Sequence, residues 1–247
     1  MKSTFPLALT FLTCLPWRWT GPAGPQDLAR SMFWFPWVGA LLGLGYWAAW
    51  TILLKYLPGP AAAAVLLALT VAATAGLHLD GLADTFDGLG GGRDAAERLR
   101  IMKDSRLGTF GAAALILVLL LKFAFLTALA AKGAGGAWAI FLFPVLSRWG
   151  MVALAYLSPY ARPEGGLGQA MTEGVTPGVL AGATVSALVL AGFTFGWQGP
   201  VIQAGAALAA WGLSRFCRKK LGGITGDTLG AANEILETLV LGACLVM

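Results

Sequence analysis

The chain has 247 residues, of which 57% are hydrophobic and 12% are charged, and its mean hydropathy is +0.74. A soluble domain carries about twice that charged share, roughly 25%. The composition therefore excludes a water-soluble globule, a disordered chain and a disulfide-rich secreted module, and it predicts an all-α, polytopic membrane protein. Three scattered cysteines, Cys14, Cys217 and Cys244, indicate neither a disulfide framework nor a thiolate metal site.

Apolar runs long enough to cross a hydrocarbon layer of roughly 30 Å predict six membrane helices, and a shorter run predicts a seventh. The six lie at residues 36–57, 60–79, 109–131, 137–157, 177–195 and 228–247, and the shorter one at 200–214. The N-terminal run at 5–17 has about half the length of a span and contains Pro6 and Pro16. We expect it to form an interfacial or re-entrant helix, with a secretory signal as the alternative. Without repeats or linkers, residues 1–247 are expected to form one membrane-embedded domain.

The distribution of Lys and Arg predicts the orientation in the membrane. With the N-terminus in the cytoplasm and seven alternating spans, thirteen of the 17 basic residues fall on the cytoplasmic side. Only Lys55 and Lys132 fall outside, whereas Lys122 and Arg148 lie within spans. The loop carboxylates fall on the cytoplasmic side too, so we expect a multi-pass protein whose active site faces the cytoplasm.

Half of the twelve acidic residues lie in one short stretch after the second predicted span. Within HLDGLADTFDG (His78–Gly88), the spacing of Asp80, Asp84 and Asp87 places all three on one face of a helix. Carboxylates this close repel one another unless a cation neutralises them, and oxygen ligands favour Mg²⁺ or Mn²⁺ over zinc. The alternative is a solvated helix end at which one Asp acts as a cap.

A second charged loop, RIMKDSRLGTFG, follows a run of glycines. It places Lys103, Ser105 and Arg106 around Asp104, a mixture that is suited to binding a phosphate beside a metal ion. The alternative is an ordinary basic flank on the cytoplasmic side of a span, which would explain the bases but not Asp104, Ser105 and the glycines.

The last polar loop, LGGITGDTLGAANEILE, repeats the combination of glycines and acids. Asp227 follows Gly226, and Glu234 lies seven residues on, so the two carboxylates would share a helix face. An ionisable group that enters a membrane span is a functional candidate, and both acids are therefore candidate metal ligands.

Several other ionisable residues have more than one interpretation. Arg148, in the middle of a span, is either the partner of Glu237 or a ligand of a substrate phosphate. Lys122 is expected either to snorkel or to pair with an acid. His78, the only histidine, is a candidate for a catalytic or hydrogen-bonding role because it adjoins the acidic cluster.

These residues predict a membrane enzyme that acts on a phosphorylated or diphosphate substrate with Mg²⁺ at the cytoplasmic surface. A cation transporter would favour carboxylates in the middle of its spans, whereas these lie at the boundary. A channel or structural membrane protein would not need three glycine-rich charged loops. Nucleic acid is not an expected partner, since the net charge of +5 is explained by the cytoplasmic loops.

Six motifs resemble the cobalamin synthase family, also called the adenosylcobinamide-GDP ribazoletransferases, and the resemblance runs nearly end to end. They are FLTCLP, FPWVG, HLDGLADTFDG, IMKDSRLGTFG, YARPEGGLG and GGITGDTLGAANE, of which the two long acidic motifs are the most specific. One departure is Cys14, where members of the family commonly have Arg after the Thr. The alternative family is the CDP-alcohol phosphotransferases, which also join an alcohol to a phosphate inside a membrane helix bundle and expel a nucleoside monophosphate. Their Asp-Gly-x-x-Ala-Arg motif is absent, because Ala83 is followed by Asp84.

The resemblance implies an inner-membrane, Mg²⁺-dependent enzyme of cobalamin biosynthesis. A ribose hydroxyl of α-ribazole, or of its 5′-phosphate, would attack the cobinamide-linked phosphorus of adenosylcobinamide-GDP and release GMP. The metal ligands would be drawn from the acidic loops, the phosphate ligands from the basic ones, and the general base would be an Asp of the cluster or His78. The expected metal ligands are Asp80, Asp84, Asp87, Asp104, Asp227 and Glu234, and the expected substrate ligands are Lys103, Ser105, Arg106, Arg148, Arg162 and Gly226.

Overall fold

A computed structural model describes residues 4–15 and 23–247, which fold into α-helices joined by short loops. The helices of these residues are α1 (Phe5–Leu12), α2 (Pro25–Ser31), α3 (Phe35–Tyr56), α4 (Gly59–Ala73), α5 (Leu77–Gly91), α6 (Ala95–Ile101), α7 (Thr109–Ala131), α8 (Ala134–Leu157), α9 (Leu167–Gly174), α10 (Pro177–Phe195), α11 (Gln198–Leu221) and α12 (Gly226–Val246). A 3₁₀ turn, Met32–Trp34, connects α2 to α3. Helix α1 forms the first part of the predicted N-terminal element at 5–17. The last two residues of that predicted element, Pro16 and Trp17, lie outside the described residues.

The described residues contain five helices that are long and apolar enough to cross a membrane, or six if a bent pair forms one span. The five are Pro25–Tyr56, which joins α2 and α3, then α7, most of α8, α10 and α12. The bent pair is α4 with α5. The all-helical polytopic class is thus confirmed. The seventh predicted span lies within α11, which is long enough to span but carries Arg218, Lys219 and Lys220 in its last turn.

The second predicted span, 60–79, consists of nearly all of one helix and the start of another. Helix α4 ends at Ala73, and α5 begins at Leu77 at an angle of 88° to it. The chain turns through two left-handed residues, Ala75 (φ 49°) and Gly76 (φ 71°). Glycine adopts this conformation without the steric cost of a Cβ atom. As a result, α5 carries the acidic motif as a separate helix that crosses the end of α4.

Helix α8 forms the centre of the bundle, and 89% of its apolar window is buried. It packs against α3, α10, α11 and α12. On the α3 side, Gly39 and Gly43 lie against the backbone carbonyls of Pro144 and Phe141, where a Cβ atom would overlap the oxygen. Small residues at this contact let the two helices approach closely, which is the usual basis of helix association in membranes.

A buried ion cluster ties α7, α8 and α12 together. Lys122 Nζ donates to Glu234 Oε2 and Glu237 Oε2 at 2.6 Å each, and Arg148 Nη1 donates to the other oxygen of Glu237. Asn233 Nδ2 also donates to Glu237, at 3.1 Å. Two acids and two bases therefore balance one another, which makes their burial tolerable inside a helical bundle.

Replacing Glu237 with Gln should destabilise the protein by about 3–5 kcal/mol, because Lys122 and Arg148 would share a single carboxylate in a buried setting. The measurement is thermal inactivation of the protein in detergent. The control is Glu173→Gln on α9, where an exposed carboxylate accepts hydrogen bonds from Gln169. Equal stability of the two variants would show that the buried ion cluster contributes nothing to folding.

Candidate active site

Two glycines bring the acidic motifs of α5 and α12 together. A Cβ atom on Gly81 would lie 2.7 Å from the backbone oxygen of Asp227, and one on Gly230 would lie 3.3 Å from the Cα of His78. Because neither glycine has a side chain, the two helices cross in close contact. The crossing places Asp227, at the start of α12, beside the aspartates of α5.

The resulting acidic site consists of Asp80, Asp84 and Asp227, with Arg162 as its neighbouring cation. Asp80 and Asp227 line the same cavity, and Asp84 lies one helical turn after Asp80 on α5. Asp80 is exposed and Asp84 is half-buried. Arg162 Nη2 donates to Asp227 Oδ2 at 2.6 Å. The three carboxylates outnumber the guanidinium, so the acidic site carries an excess of negative charge.

The loop that carries Arg162 is joined to the loop before α12 by backbone hydrogen bonds. Ala161 N–H donates to the oxygen of Ile224 at 2.8 Å, and Ile224 N–H donates to the oxygen of Pro159 at 2.9 Å. Thr225 then caps α12, since its hydroxyl accepts from the N–H of Thr228 at 3.2 Å. These bonds hold Arg162 and the N-terminus of α12 at the same edge of the acidic site.

Asp87 has a different environment from Asp80 and Asp84. Its two oxygens accept the backbone N–H groups of Gly108 and Gly111, both at 2.7 Å, and the side chain is buried. Asp87 therefore caps the start of α7 from a neighbouring helix, and both of its oxygens already have donors. The spacing that places the three aspartates on one face of α5 is correct, but the N-terminus of α7 packs against the far end of that face.

Asp87→Asn should lower stability by about 1–2 kcal/mol, the scale of losing a helix cap, because the amide nitrogen would face a backbone N–H donor. The dependence of the activity on Mg²⁺ should stay that of the wild-type protein. Thermal inactivation together with a Mg²⁺ titration measures both effects. A raised Mg²⁺ requirement without loss of stability would instead make Asp87 a metal ligand.

The basic loop between α6 and α7 has its charges paired. Arg106 Nη2 donates to Asp104 Oδ2 at 2.7 Å, and this contact lowers the pKa of Asp104 to about 2 and raises that of Arg106. Lys103 forms an ion pair with Glu164, which lies in the same loop as Arg162. Ser105 is exposed. Asp104 thus pairs with Arg106, and Lys103 connects the basic loop to the loop of Arg162.

Arg148 and Glu234 lie in the buried ion cluster and not in the acidic site. Arg148 takes the role of partner to Glu237, the first of its two interpretations, and Glu234 binds Lys122. Glu234 follows Asp227 on α12, but it lies seven residues further along the helix and deeper in the bundle. There it binds Lys122 of α7. The geometry thus assigns neither residue to a substrate or a metal ion.

Two cavities meet at Asp80. One, of about 190 Å³, is lined by His78, Asp227 and Gly226 together with apolar side chains of several helices. The other, of about 720 Å³, lies towards α1 and α7 and is lined by residues that include Cys14 and Leu107. The carboxylate of Asp80 therefore borders two spaces in which separate reactants could bind.

In the described part of the chain, no group of three His, Cys, Asp or Glu side chains is arranged to hold a metal ion on its own. Mg²⁺ is usually bound by one or two carboxylates, with waters and substrate phosphates completing its coordination. Asp80, Asp84 and Asp227 form an oxygen-rich group with unbalanced negative charge, which fits an ion of this kind.

These features define a polytopic helical membrane protein with an acidic site beside Arg162. The CobS family model, described as cobalamin-5-phosphate synthase, matches residues 4–245. A protein of Syntrophobacter fumaroxidans named adenosylcobinamide-GDP ribazoletransferase is 44% identical over 252 residues and covers 100% of both chains. Proteins of the same name from Pseudomonas putida (strain W619) and Pseudomonas entomophila are 45% and 44% identical, covering 98% and 96% of each chain. No solved structure matches. The chain belongs to the cobalamin-5-phosphate synthase family.

Sequence reasoning did not identify the residues that shape the acidic site. The sequence does not distinguish Gly81 and Gly230 from the other glycines, and it contains no pattern that marks Met151 and Met171, which line the smaller cavity. The recurrence of Asp-Gly in α5 and Gly-Asp in α12 was the available hint that glycine allows the two acidic helices to meet.

Proposed function

We propose that this enzyme transfers the cobinamide phosphate of adenosylcobinamide-GDP to α-ribazole, or to α-ribazole 5′-phosphate, and releases GMP. The names of relatives that match along the whole chain support this reaction. The structural observation that carries the proposal is the crossing of α5 and α12, which brings Asp80 and Asp227 to one cavity and leaves Arg162 hydrogen-bonded to Asp227. The excess of basic residues in the loops around these side chains supports a cytoplasmic orientation in a bacterial inner membrane.

The phosphates of the nucleotide substrate would bind at the edge formed by Arg162 and the N-terminus of α12. A guanidinium forms bidentate, charge-assisted hydrogen bonds with phosphate, and the first N–H groups of a helix attract anions. Gly226 begins α12 and leaves its backbone accessible to the smaller cavity. Lys103 and Arg106 on the adjoining basic loop would exchange their carboxylate partners for phosphate oxygens.

One or two carboxylates of the acidic site, drawn from Asp80, Asp84 and Asp227, would hold Mg²⁺ together with waters and substrate phosphates, and Mn²⁺ could substitute for it. When bound, the ion would neutralise negative charge on the diphosphate and its leaving group. The aspartates of α5 and α12 would position it, since the glycine contact between the two helices fixes their separation.

The reaction itself is a substitution at phosphorus. The oxygen of a ribose hydroxyl forms a new bond to the phosphorus that carries cobinamide, and the bond from that phosphorus to the oxygen of GMP breaks. The hydroxyl proton passes to a carboxylate of the acidic site, and Asp80 borders both cavities in which the reactants would meet.

The experiment uses the full-length protein, purified in detergent, with adenosylcobinamide-GDP, α-ribazole and Mg²⁺. We expect GMP release that requires both organic substrates, stops with a chelator and resumes with added Mg²⁺, accompanied by formation of the corrinoid product. GMP release without α-ribazole would indicate hydrolysis, and no release under any condition would overturn the proposal.

A further inference from the structure

The smaller cavity is lined by α1, α5, α8, α9 and α12, and it has the dimensions of an aromatic base. We propose that this cavity binds the benzimidazole ring of the riboside substrate, and that His78 donates a hydrogen bond to the free ring nitrogen of this base. The inference rests on the proposed function, because it assigns one part of that substrate to one part of the site.

The size and lining of the cavity favour a small aromatic group. An apolar protein cavity of roughly 150 Å³ binds a single benzene ring, so the volume of about 190 Å³ found here suits a compact ring system. A corrin, which joins four five-membered rings around a metal, is too large for it. Phe11, Met151 and Met171 contribute to the wall, and methionine sulfur makes favourable contacts with aromatic rings.

His78 provides an independent indication of a ligand. Its side chain is 2% exposed, and neither ring nitrogen has a hydrogen-bond partner among the described residues. Buried polar groups nearly always have partners in native structures, so a partner is expected from a bound molecule. A neutral imidazole has one N–H donor, and the benzimidazole of a riboside keeps one unsubstituted nitrogen as an acceptor.

The position of the cavity fits the direction of the reaction. Asp80 and Asp227 line it together with His78, so a base inside the cavity would place the attached ribose next to the acidic site. The larger cavity on the other side of Asp80 stays free for the corrinoid substrate. The hydroxyl and the phosphorus would then meet at Asp80.

The test compares α-ribazole with its indole analogue, in which a C–H group replaces the acceptor nitrogen of the base. The wild-type enzyme should prefer α-ribazole by about tenfold or more, both in kcat/KM and in equilibrium binding without the corrinoid substrate. His78→Leu should reduce this preference to near one through a higher KM for α-ribazole. Gln203→Leu, which removes a buried amide on α11, a helix that contributes no residue to the lining of this cavity, should keep the preference. A preserved preference in His78→Leu would overturn the assignment of His78.

A second variant keeps the inference testable if His78→Leu does not fold. Met171→Phe should fill part of the cavity and raise the KM for α-ribazole far more than that for the smaller imidazole riboside, with the KM for adenosylcobinamide-GDP unchanged. A raised KM for the corrinoid substrate instead would mean that the cavity holds the other reactant. If no riboside supports GMP release but binding shows the expected preference, the proposed function fails and the inference stands. If GMP is released but neither His78→Leu nor Met171→Phe changes the preference among ribosides, the inference is overturned and the proposed function is unaffected.

Discussion

Asp80→Asn and Asp84→Asn should each lower GMP release by about a hundredfold or more, the scale of losing one electrostatic contact to a transition state. The substitution keeps the size of the side chain and removes its charge, so the affinity for Mg²⁺ should fall while the protein still inserts and purifies. Part of the activity should return at high Mg²⁺, because a weakened site fills at higher concentration. A Mg²⁺ titration of initial rates measures both effects.

The matched control for these variants is Asp94→Asn. Asp94 is an exposed aspartate that caps α6, where its carboxylate accepts the N–H of Glu97 at 2.9 Å. Its replacement also removes one negative charge from the same polar region, and we expect only a mild effect on GMP release. If Asp84→Asn kept normal turnover and an unchanged Mg²⁺ requirement, the metal could not be held by the aspartates of α5.

The fold class and most spans could be predicted because apolar length is a local property of the sequence. The predicted runs at 109–131 and 177–195 coincide with α7 and α10, and the run at 36–57 differs from α3 by one residue at each end. The run at 60–79 covers nearly all of α4 and continues into α5, because the sequence stays apolar through Ala75 and Gly76, where the chain turns. Hydropathy records how apolar each segment is, but it contains no information on where the chain changes direction.

The candidate site could be predicted only in part, because helical spacing gives the face of a side chain but not what packs against that face. Asp80 and Asp84 face Asp227, whereas Asp87, on the same face, meets the N-terminus of α7. The same reasoning explains Glu234, which shares a face with Asp227 but meets Lys122. Contacts between segments far apart in sequence decide which acids form the site and which bind groups on other helices.

The close crossing of α5 and α12 suggests a test in which a single methyl group is added. Gly81→Ala should reduce activity by about ten- to a hundredfold, because a Cβ atom there would lie 2.7 Å from the backbone oxygen of Asp227 and would push the two helices apart. Misplacing reacting groups by about 1 Å can cost a hundredfold in rate. The measurement is kcat for GMP release, with the melting temperature recorded for each variant.

Gly212→Ala is the matched control for this substitution, since Gly212 lies within α11 and a Cβ atom there has no described neighbour within 4 Å. Alanine favours a helix over glycine by about 0.5–1 kcal/mol, so Gly212→Ala should be slightly more stable and fully active. The same intrinsic gain applies to Gly81 in α5, and a loss of activity there must therefore come from the contact with α12. If Gly81→Ala retained full activity, the separation of the two helices would not set the geometry of the carboxylates, and Asp227 would have to act independently of Asp80 and Asp84.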